Sequence, residues 1–418
     1  MNLYLAVILV ILIGEYILNL IVERLNLGCV SEVLPEEFEG YYDAAKYKKA
    51  QNYLREKTNF FLVKDTIFTL IIIIFILAGG FNFIDSLARN FNFGPILTGL
   101  IFAGIVILAS QLLSMPLSAY HTFVLEAKYG FNKTTVKTFI LDILKSWLLM
   151  IVIGGLSFSA VLWFFARTGN WAWIYCWGGI TLFQLFLTFI APVVILPMFN
   201  KFIPLEDGEL KEAIEGYADS RNFKLKGIFK IDASRRSTKS NAFFTGFGKY
   251  RRIALFDTLI EKHTVDELVS VLAHEIGHYK KKHIIQGMVI SIITTGFMFF
   301  ILSFFINNPG LFTAFKMEQI SIYASLLFFG FLYSPISMIF SLMSTILSRK
   351  NEYEADDYAV STYNKAEAFI LALKKLSVDN LANLTPHPLK VFLEYSHPPV
   401  LKRIEAIRKI ELPISTSS

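Results

Sequence analysis

The sequence of 418 residues is 54% hydrophobic, contains 40 phenylalanines and has a mean hydropathy of +0.50. This composition excludes an ordinary soluble globular protein and predicts a polytopic membrane protein. The net charge of +6 suits contact with anionic membrane lipids, and nucleic acid is not expected as a partner because no basic stripe is interleaved with aromatic residues outside the apolar runs.

Seven apolar runs are long enough to cross a bilayer as helices. Met1-Asn-Leu-Tyr4 lacks the basic residues of a signal peptide, so we expect the first run to be a retained helix. The predicted spans are Leu3–Val22, Asp65–Ile84, Pro95–Pro116, Phe139–Phe165, Trp171–Leu196, Ile284–Ile306 and Ile320–Leu347.

Lysine and arginine are concentrated in every second segment between these spans. The segments after the first, third, fifth and seventh spans are rich in basic residues, whereas those after the second, fourth and sixth hold Arg89, Arg167 and Lys316 alone. Basic segments stay on the cytoplasmic side of a membrane. The pattern therefore predicts an N-terminus outside and a cytoplasmic C-terminus.

Two polar regions near the spans carry structural expectations. Leu25–Phe60 mixes charges with four tyrosines, which indicates an amphipathic helix with a flexible start or, more simply, a solvated connector. Asp142 and Lys145 lie three residues apart near the start of the fourth span. Because charge within a membrane is costly, we expect them to pair with each other or to face water inside the bundle.

The hydrophilic segment Pro197–His283 is predicted to be the first part of a soluble catalytic domain with a short helix and a small sheet. An exposed strand edge in such a sheet can hold an extended peptide as an added strand. The helix is predicted at Glu209–Tyr217 and the strands at Gly227–Ile231, Ser240–Phe244 and Arg252–Phe256, the last two joined through Gly246 and Gly248.

A helix that begins after this sheet carries the clearest chemical signal. Thr264 and Glu267 form a capping-box pattern. Ten residues after Thr264, His274 begins an H-E-x-x-H motif, the arrangement found in zinc proteases. His274 and His278 are spaced by one helical turn, and Glu275 lies beside them. We expect this helix to continue directly into the sixth span.

A hydrolytic zinc needs a third protein ligand and an open position for water. The carboxylates after the seventh span are the candidates, and Glu352 and Asp356 share one face of a helix there. Glu352 is predicted to bind the zinc. Asp356 is predicted to accept the free N–H of a ligand histidine.

This site suits peptide hydrolysis. Glu275 would take a proton from the attacking water and pass it to the leaving amine. The oxyanion that forms needs a further donor, for which His397 and Asn241 are alternatives. Arg403 would supply a fixed positive charge to the substrate or to the site.

Two competing hypotheses remain at this point. A membrane quality-control metalloprotease would use the same zinc chemistry, but that type has about four spans. A transporter or scaffold with structural zinc would be expected to offer four protein ligands, whereas this sequence offers three with a base alongside.

The motifs together resemble those of the type I CAAX prenyl endopeptidases, integral membrane zinc metalloproteases of the gluzincin kind. Several of them lie outside the metal site, which makes the resemblance specific. They are Tyr129–Asn132, Leu196–Leu205, Ser240–Gly246, His274–His278, Ser348-Arg349 with Glu352–Asp356, and His397–Pro399.

The resemblance implies a mainly α-helical fold in which seven helices enclose a water-filled chamber, closed by a cytoplasmic protease domain with a small β-sheet. It implies one zinc per chain held by His274, His278 and Glu352, with Glu275 as base and Asp356 behind the ligands. It also implies substrate or oxyanion contacts from Asn241 and His397, and removal of a C-terminal tripeptide from prenylated CAAX proteins or peptides.

The corresponding domain division is 1–196 for five membrane helices, 197–283 for the first part of the protease, 284–347 for the sixth and seventh spans, and 348–418 for the second part. The short segment Asn307–Gln319 and the lack of a retention signal at the C-terminus favour a prokaryotic inner-membrane member. The oligomeric state stays open.

Overall fold

The computed structural model describes residues 2–245 and 252–411. Within these residues, seven helices are long and apolar enough to cross a membrane, which confirms the predicted membrane class. They are Leu3–Gly28, Ala44–Leu77, Pro95–Glu126, Val136–Arg167, Gly169–Phe199, His283–Ser303 and Ile322–Tyr363.

The spans are built from α-helices that in three cases are joined or extended by a π-helical turn, at His121–Glu126, Met150–Gly154 and Ala191–Ile195. The first eight α-helices are α1 Leu3–Gly28, α2 Ala44–Leu77, α3 Gly80–Arg89, α4 Pro95–Tyr120, α5 Val136–Leu149, α6 Gly155–Arg167, α7 Ala172–Ile190 and α8 Leu196–Phe199. The remaining nine in the described part of the chain are α9 Glu209–Ser220, α10 Asp257–Ile260, α11 Val265–Lys280, α12 His283–Ser303, α13 Pro309–Ala314, α14 Ile322–Tyr363, α15 Ala366–Asp379, α16 Pro388–Glu394 and α17 Val400–Glu411.

The second span ends earlier than predicted. The expected run to Ile84 is wrong because α2 stops at Leu77 and Gly79 adopts a left-handed φ of 76°, which breaks the helix. α3 then starts in a new direction and buries Phe81 against Phe315. The apolar residues that lengthened the predicted span are therefore packing residues of a separate amphipathic helix.

The tyrosines between the first two spans are part of the protease core. Tyr42, Tyr47 and Tyr53 are 5%, 2% and 4% exposed, and they belong to one buried cluster with Leu268 and Ile276 of α11. The alternative of a solvated connector is therefore wrong. These rings are buried in the core of the protease domain, against residues that are distant in sequence.

Asp142 finds a stronger partner than the predicted Lys145. The Arg236 guanidinium donates to both Asp142 carboxylate oxygens at 2.8 and 3.0 Å, whereas Lys145 Nζ is 4.0 Å from Asp142 and donates to the Met198 carbonyl at 2.6 Å. This bidentate ion pair fixes the fourth span to the connection between the second and third strands of the protease sheet.

The protease sheet has four strands within the described residues, in the order β1-β2-β4-β3. β2 and β4 are parallel, and β1 and β3 pair antiparallel on the outside, so that β3 is an edge strand. The connection through Gly246 and Gly248 lies outside the described residues. The strands are β1 Phe202–Pro204, β2 Gly227–Ile231, β3 Ala242–Thr245 and β4 Arg252–Phe256.

α11 does not continue directly into the sixth span, so that prediction is wrong. α11 ends at Lys280, Lys282 adopts a left-handed φ of 62°, and α12 begins at His283. The break turns the chain at the membrane side of the motif helix and brings His283 back towards it.

Candidate active site

α11 is held firmly in the protease core. The predicted capping box is present: Thr264 Oγ1 accepts from the Glu267 N–H at 3.4 Å, and Glu267 Oε2 accepts from the Thr264 N–H at 3.3 Å. Glu267 also accepts from Lys375 Nζ of α15 at 2.7 and 2.8 Å. The start of the motif helix is therefore fixed both to its own first turn and to the neighbouring helix.

The structure brings His274, His278 and Glu352 together although two spans separate them in sequence. His274 Nε2 lies 3.1 Å from His278 Nε2 and 3.4 Å from Glu352 Oε2, and His278 Nε2 lies 3.2 Å from Glu352 Oε1. Three potential ligand atoms thus point at one small volume. α14 supplies Glu352 because this helix extends beyond the membrane into the protease domain.

These side chains fit a zinc ion. Ligand atoms that sit about 2.0–2.1 Å from a tetrahedral zinc are separated from one another by roughly 3.3 Å, close to the distances between these three side chains. Glu352 Oε2 is buried and accepts no hydrogen bond from the described residues. A buried carboxylate oxygen without a donor is costly unless a cation completes it.

Asp356 lies behind His274, one helical turn beyond Glu352. Asp356 Oδ1 is 2.8 Å from His274 Nδ1, and both Asp356 oxygens accept from Arg403 Nε and Nη2 at 2.8 and 2.6 Å. A histidine whose Nδ1–H is held in this way presents Nε2 to a metal. Because Arg403 is only 11% exposed and committed to Asp356, its position favours a charge supplied to the site over a substrate contact.

His283 and Glu354 extend the site in a way that the sequence did not indicate. His278 Nδ1 lies 3.0 Å from His283 Nδ1, and His283 Nε2 lies 3.3 Å from Glu354 Oε2. With His278 Nε2 turned to the metal position, its Nδ1–H can donate to His283, which in turn donates to Glu354. The sequence offered one signal for this extension. His283 follows the motif closely, and Glu354 is a second carboxylate near Glu352.

Burial and nearby charges oppose each other at two α11 side chains, Glu275 and His274, and the pKa of each is raised. Burial raises the pKa of Glu275, partly opposed by the positive charge of His274 and His278. Burial lowers the pKa of His274, but the close carboxylates of Asp356 and Glu352 outweigh this effect and raise the pKa to about 9. His274 therefore holds a proton at neutral pH until a metal displaces it.

His397 and Asn241 occupy different places. His397 Nε2 is 3.3 Å from Glu352 Oε1, its Nδ1 contacts Ser396 Oγ at 2.9 Å, and its side chain is 62% exposed, so that a substrate can reach it. Asn241 is exposed at the start of the edge strand β3, and its Oδ1 accepts from the Ala242 N–H at 2.9 Å. The structure brings His397 to the ligand cluster and places Asn241 along the strand edge instead.

Gly277 sets the separation between the two helices that carry the ligands. A Cβ at this position would lie 3.1 Å from both Cα and the carbonyl oxygen of Ala355 and 3.2 Å from Tyr358 Cβ. Since Ala355 lies between Glu352 and Asp356 on α14, the close approach of α11 and α14 determines how near Glu352 comes to the two histidines.

Gly277→Ala is expected to weaken metal binding by about tenfold, a size typical of disturbed support around metal ligands. The added methyl group meets backbone atoms, so α14 must shift by a few tenths of an ångström. Chelator competition measures the metal affinity. Gly216→Ala on α9, where nothing lies within 4 Å of the added Cβ, is the matched control and should leave metal affinity unchanged. Equal affinity in both variants would contradict this role of Gly277.

Family models cover nearly the whole chain. Residues 24–201 match the model described as "CAAX prenyl protease N-terminal, five membrane helices", and residues 204–411 match "Peptidase family M48". The chain belongs to peptidase family M48. The resemblance to membrane CAAX endopeptidases that the motifs indicated is confirmed.

Individual relatives agree with this assignment. The chain is 35% identical over 414 residues to the probable CAAX prenyl protease 1 of Schizosaccharomyces pombe, with 94% of this chain and 86% of that protein covered. It is 32% identical to the CAAX prenyl protease 1 homologue of Homo sapiens, covering 90% and 89%. The crystal structure of S. mikatae Ste24p superposes with a TM-score of 0.92 at 33% identity, covering 97% of this chain and 99% of that one.

Membership in this family makes the chain a multi-pass membrane metalloendopeptidase. The predicted enzyme class and the predicted fold class, seven helices with a small mixed sheet, are both confirmed.

Proposed function

We propose that this peptidase uses one zinc ion per chain to remove the C-terminal tripeptide from prenylated CAAX proteins or peptides. The convergence of His274, His278 and Glu352 beside Glu275 carries the hydrolytic part of the proposal. The substrate part is supported by full-length relatives whose names include CAAX prenyl protease 1.

In the proposed site, His274, His278 and Glu352 hold the zinc, and Asp356 with Arg403 orients His274. Zinc supplies, when bound, Lewis-acid activation of water and of the scissile carbonyl. Every other step depends on side chains of this chain. We include the four-part domain division in the proposal, with the sixth and seventh spans inserted between the two parts of the protease.

Glu275 is the proposed general base. Its raised pKa brings the carboxyl closer to neutrality, which suits a group that first accepts a proton from water and then donates it to the leaving amine. His397, exposed beside Glu352, donates a hydrogen bond to the oxyanion of the tetrahedral intermediate. Asn241 binds the substrate backbone at the start of β3.

Purified protein loaded with zinc is expected to release the terminal tripeptide from a prenylated CAAX peptide. The unprenylated peptide should be cleaved at least about tenfold more slowly, because burial of only two CH₂ groups of a prenyl chain, at about 0.8 kcal/mol each, is sufficient for that difference. Mass spectrometry of the products identifies the cleaved bond in both peptides.

A chelator should abolish the cleavage and added zinc should restore it. Cleavage at internal bonds only, or full activity after chelation, would contradict the proposed function. Preferential cleavage of the unprenylated peptide would leave the zinc peptidase but contradict the lipidated substrate.

The alternative functions find less support in the structure. A quality-control protease with four spans does not match the seven membrane helices within residues 2–245 and 252–411. A closed structural zinc site would use four protein ligands. The group of potential metal ligands found among the described residues has three members.

We also propose that the protease domain and C-terminus are cytoplasmic and the N-terminus is outside. The segments after the first and third spans pack into the protease core through Tyr47 and Tyr129, so these basic segments and the protease lie on one side. A C-terminal tag degraded by external protease in intact cells would contradict this orientation. A prokaryotic inner membrane stays a prediction, since the relatives named above are eukaryotic.

A further inference from the structure

A cavity whose wall includes several polar side chains lies at the N-terminal end of the edge strand β3. Its volume is about 730 Å³, and its wall includes Lys239, Ser240 and Asn241, which lead into β3, together with Lys57 of α2 and Tyr395. Tyr395 lies two residues before His397 in the sequence, and His397 Nε2 is 3.3 Å from Glu352 Oε1. One short chain segment therefore leads from the cavity wall at Tyr395 to the contact of His397 with Glu352.

The backbone of β3 offers an added peptide a limited number of partners. The Asn241 carbonyl accepts from the Phe256 N–H of β4 at 3.1 Å, so Asn241 and alternate residues after it face β4, while Ser240, Ala242 and Phe244 face the free edge. The Ser240 position is already occupied. Asn380 Oδ1 accepts from the Ser240 N–H at 3.2 Å, and Asn380 Nδ2 donates to the Ser240 carbonyl at 3.3 Å.

Asn380 thus prevents a peptide that is paired with β3 from pairing further, at Ser240, and in this sense acts as a stop. A substrate that runs antiparallel to β3 places its C-terminal part towards this stop and into the cavity. The three residues beyond the scissile bond of a CAAX substrate span roughly 10 Å when extended, so only a short segment has to be accommodated beyond the strand.

One positive charge on the cavity wall has no anionic partner. Lys239 Nζ donates to Glu126 Oε2 at 2.8 Å, and Lys390 Nζ donates to Glu23 Oε1 at 2.7 Å, so these lysines are neutralised. Lys57 Nζ lies 5.5 Å from the centre of the Tyr53 ring, and no carboxylate oxygen of the described residues lies within 4 Å of it.

Two hydrogen-bond donors on the same wall are also without acceptors. Asn26 is 1% exposed, and its Oδ1 accepts from Asn383 Nδ2 and the His387 N–H, but its Nδ2 donates to no atom of the described residues. The buried Ser240 Oγ has no partner there either. An ammonium group without an anionic partner, in a wall that also contains unpaired donors, suits a carboxylate ligand.

We propose that this cavity binds the free α-carboxylate of the substrate, with Lys57 as its ion-pair partner and Asn380 as the stop that limits the departing peptide to a short C-terminal segment. This inference rests on the proposed removal of a C-terminal tripeptide and adds the residue that recognises the chain end. Lys57 determines specificity and takes no part in the bond cleavage itself.

Two peptides that differ only at the C-terminus test the proposal. A prenylated CAAX peptide with a free carboxylate should have a kcat/KM about 10- to 100-fold higher than the same peptide with a C-terminal amide, the range for a hydrogen bond to a charged group. The difference should lie mainly in KM, because the contact is already made in the bound substrate.

Lys57→Met should reduce the acid-to-amide ratio to near one, and Lys57→Arg should retain most of it. Lys48→Met, an exposed lysine on the same helix, is the matched control and should leave the ratio unchanged. The acid-to-amide ratio is measured within each variant, so a smaller yield of folded protein does not affect the comparison. The ratio of the unaltered protein alone already tests whether the free carboxylate is recognised.

Equal cleavage of the acid and the amide by the unaltered protein would overturn this inference while leaving the proposed function intact. An unchanged ratio in Lys57→Met would likewise overturn the assignment of Lys57. If the unaltered protein with zinc cleaved neither peptide, the proposed function itself would fail and the inference with it.

Discussion

Replacing Glu275 with glutamine is expected to slow peptide hydrolysis by about 10²- to 10⁴-fold, the contribution typical of a general base, while zinc stays bound. Glutamine has nearly the same shape as glutamate but cannot accept a proton from water at neutral pH. Glu275 is not among the residues whose side-chain atoms converge on the metal position, so the ligand set is unchanged.

Single-turnover cleavage of the prenylated peptide and the zinc content of the purified variant measure the two parts of this expectation. Glu215→Gln on the exposed face of α9 is the matched control and should have unaltered activity. Activity of Glu275→Gln within a few-fold of the unaltered protein would show that another group is the base. Loss of zinc along with activity would show that Glu275 supports the ligands.

Replacing Arg403 with methionine is expected to lower the free energy of unfolding by about 3–5 kcal/mol, the usual cost of leaving a buried ion pair without one partner. The side chains of Asp356 and Glu352 are 1% and 5% exposed, and Arg403 contacts both of them, at 2.6 and 3.7 Å, as His274 also does. Its removal leaves two buried carboxylates whose remaining charged neighbours are histidines.

The stability loss should be larger without zinc, because a bound cation neutralises part of the same charge. Arg403→Lys should be intermediate, since it restores a positive charge without the two parallel hydrogen bonds to Asp356. Thermal unfolding midpoints in detergent, with and without zinc, give the comparison.

Arg408→Met is the matched control on the same helix. Arg408 pairs with Glu37 at 2.7 Å on the surface, with 48% and 27% of the two side chains exposed, and such pairs contribute at most about 1 kcal/mol. If Arg403→Met were no less stable than Arg408→Met, the charge balance described for Asp356 would be incorrect.

The parts of this structure that follow from local spacing were predictable. A separation of four residues on a helix places His274 with His278, and Glu352 with Asp356, on common faces, and the Thr264 capping box marks the start of α11 from sequence alone. Apolar runs of sufficient length located all seven spans, since the bilayer imposes both the length and the composition.

The features that depend on contacts between distant segments were not predictable in this way. Nothing local to Tyr42 and Tyr47 indicates that they are buried against α11, and the preference of Asp142 for Arg236 over Lys145 depends on the packing of the fourth span. The bend at Lys282 is likewise hidden, because lysine rarely adopts a positive φ.

At the proposed metal position, too, some features were predictable from local spacing and others depend on contacts between distant segments. The three proposed ligands could be named from spacing and residue type, but the contact of His283 with both His278 and Glu354 depends on that bend. Arg403 lies 47 positions from Asp356, so only the folded chain reveals which carboxylate it neutralises.

The buried cluster that joins Phe38, Tyr53 and Leu125 to Ile276 and Ile407 has a consequence for biosynthesis. A ribosome produces the two motif histidines long before Glu352, and produces Ile407 of the same core later still. The proposed ligand set therefore stays incomplete until the seventh span has been made, and the buried core that supports it stays incomplete until α17 has been made.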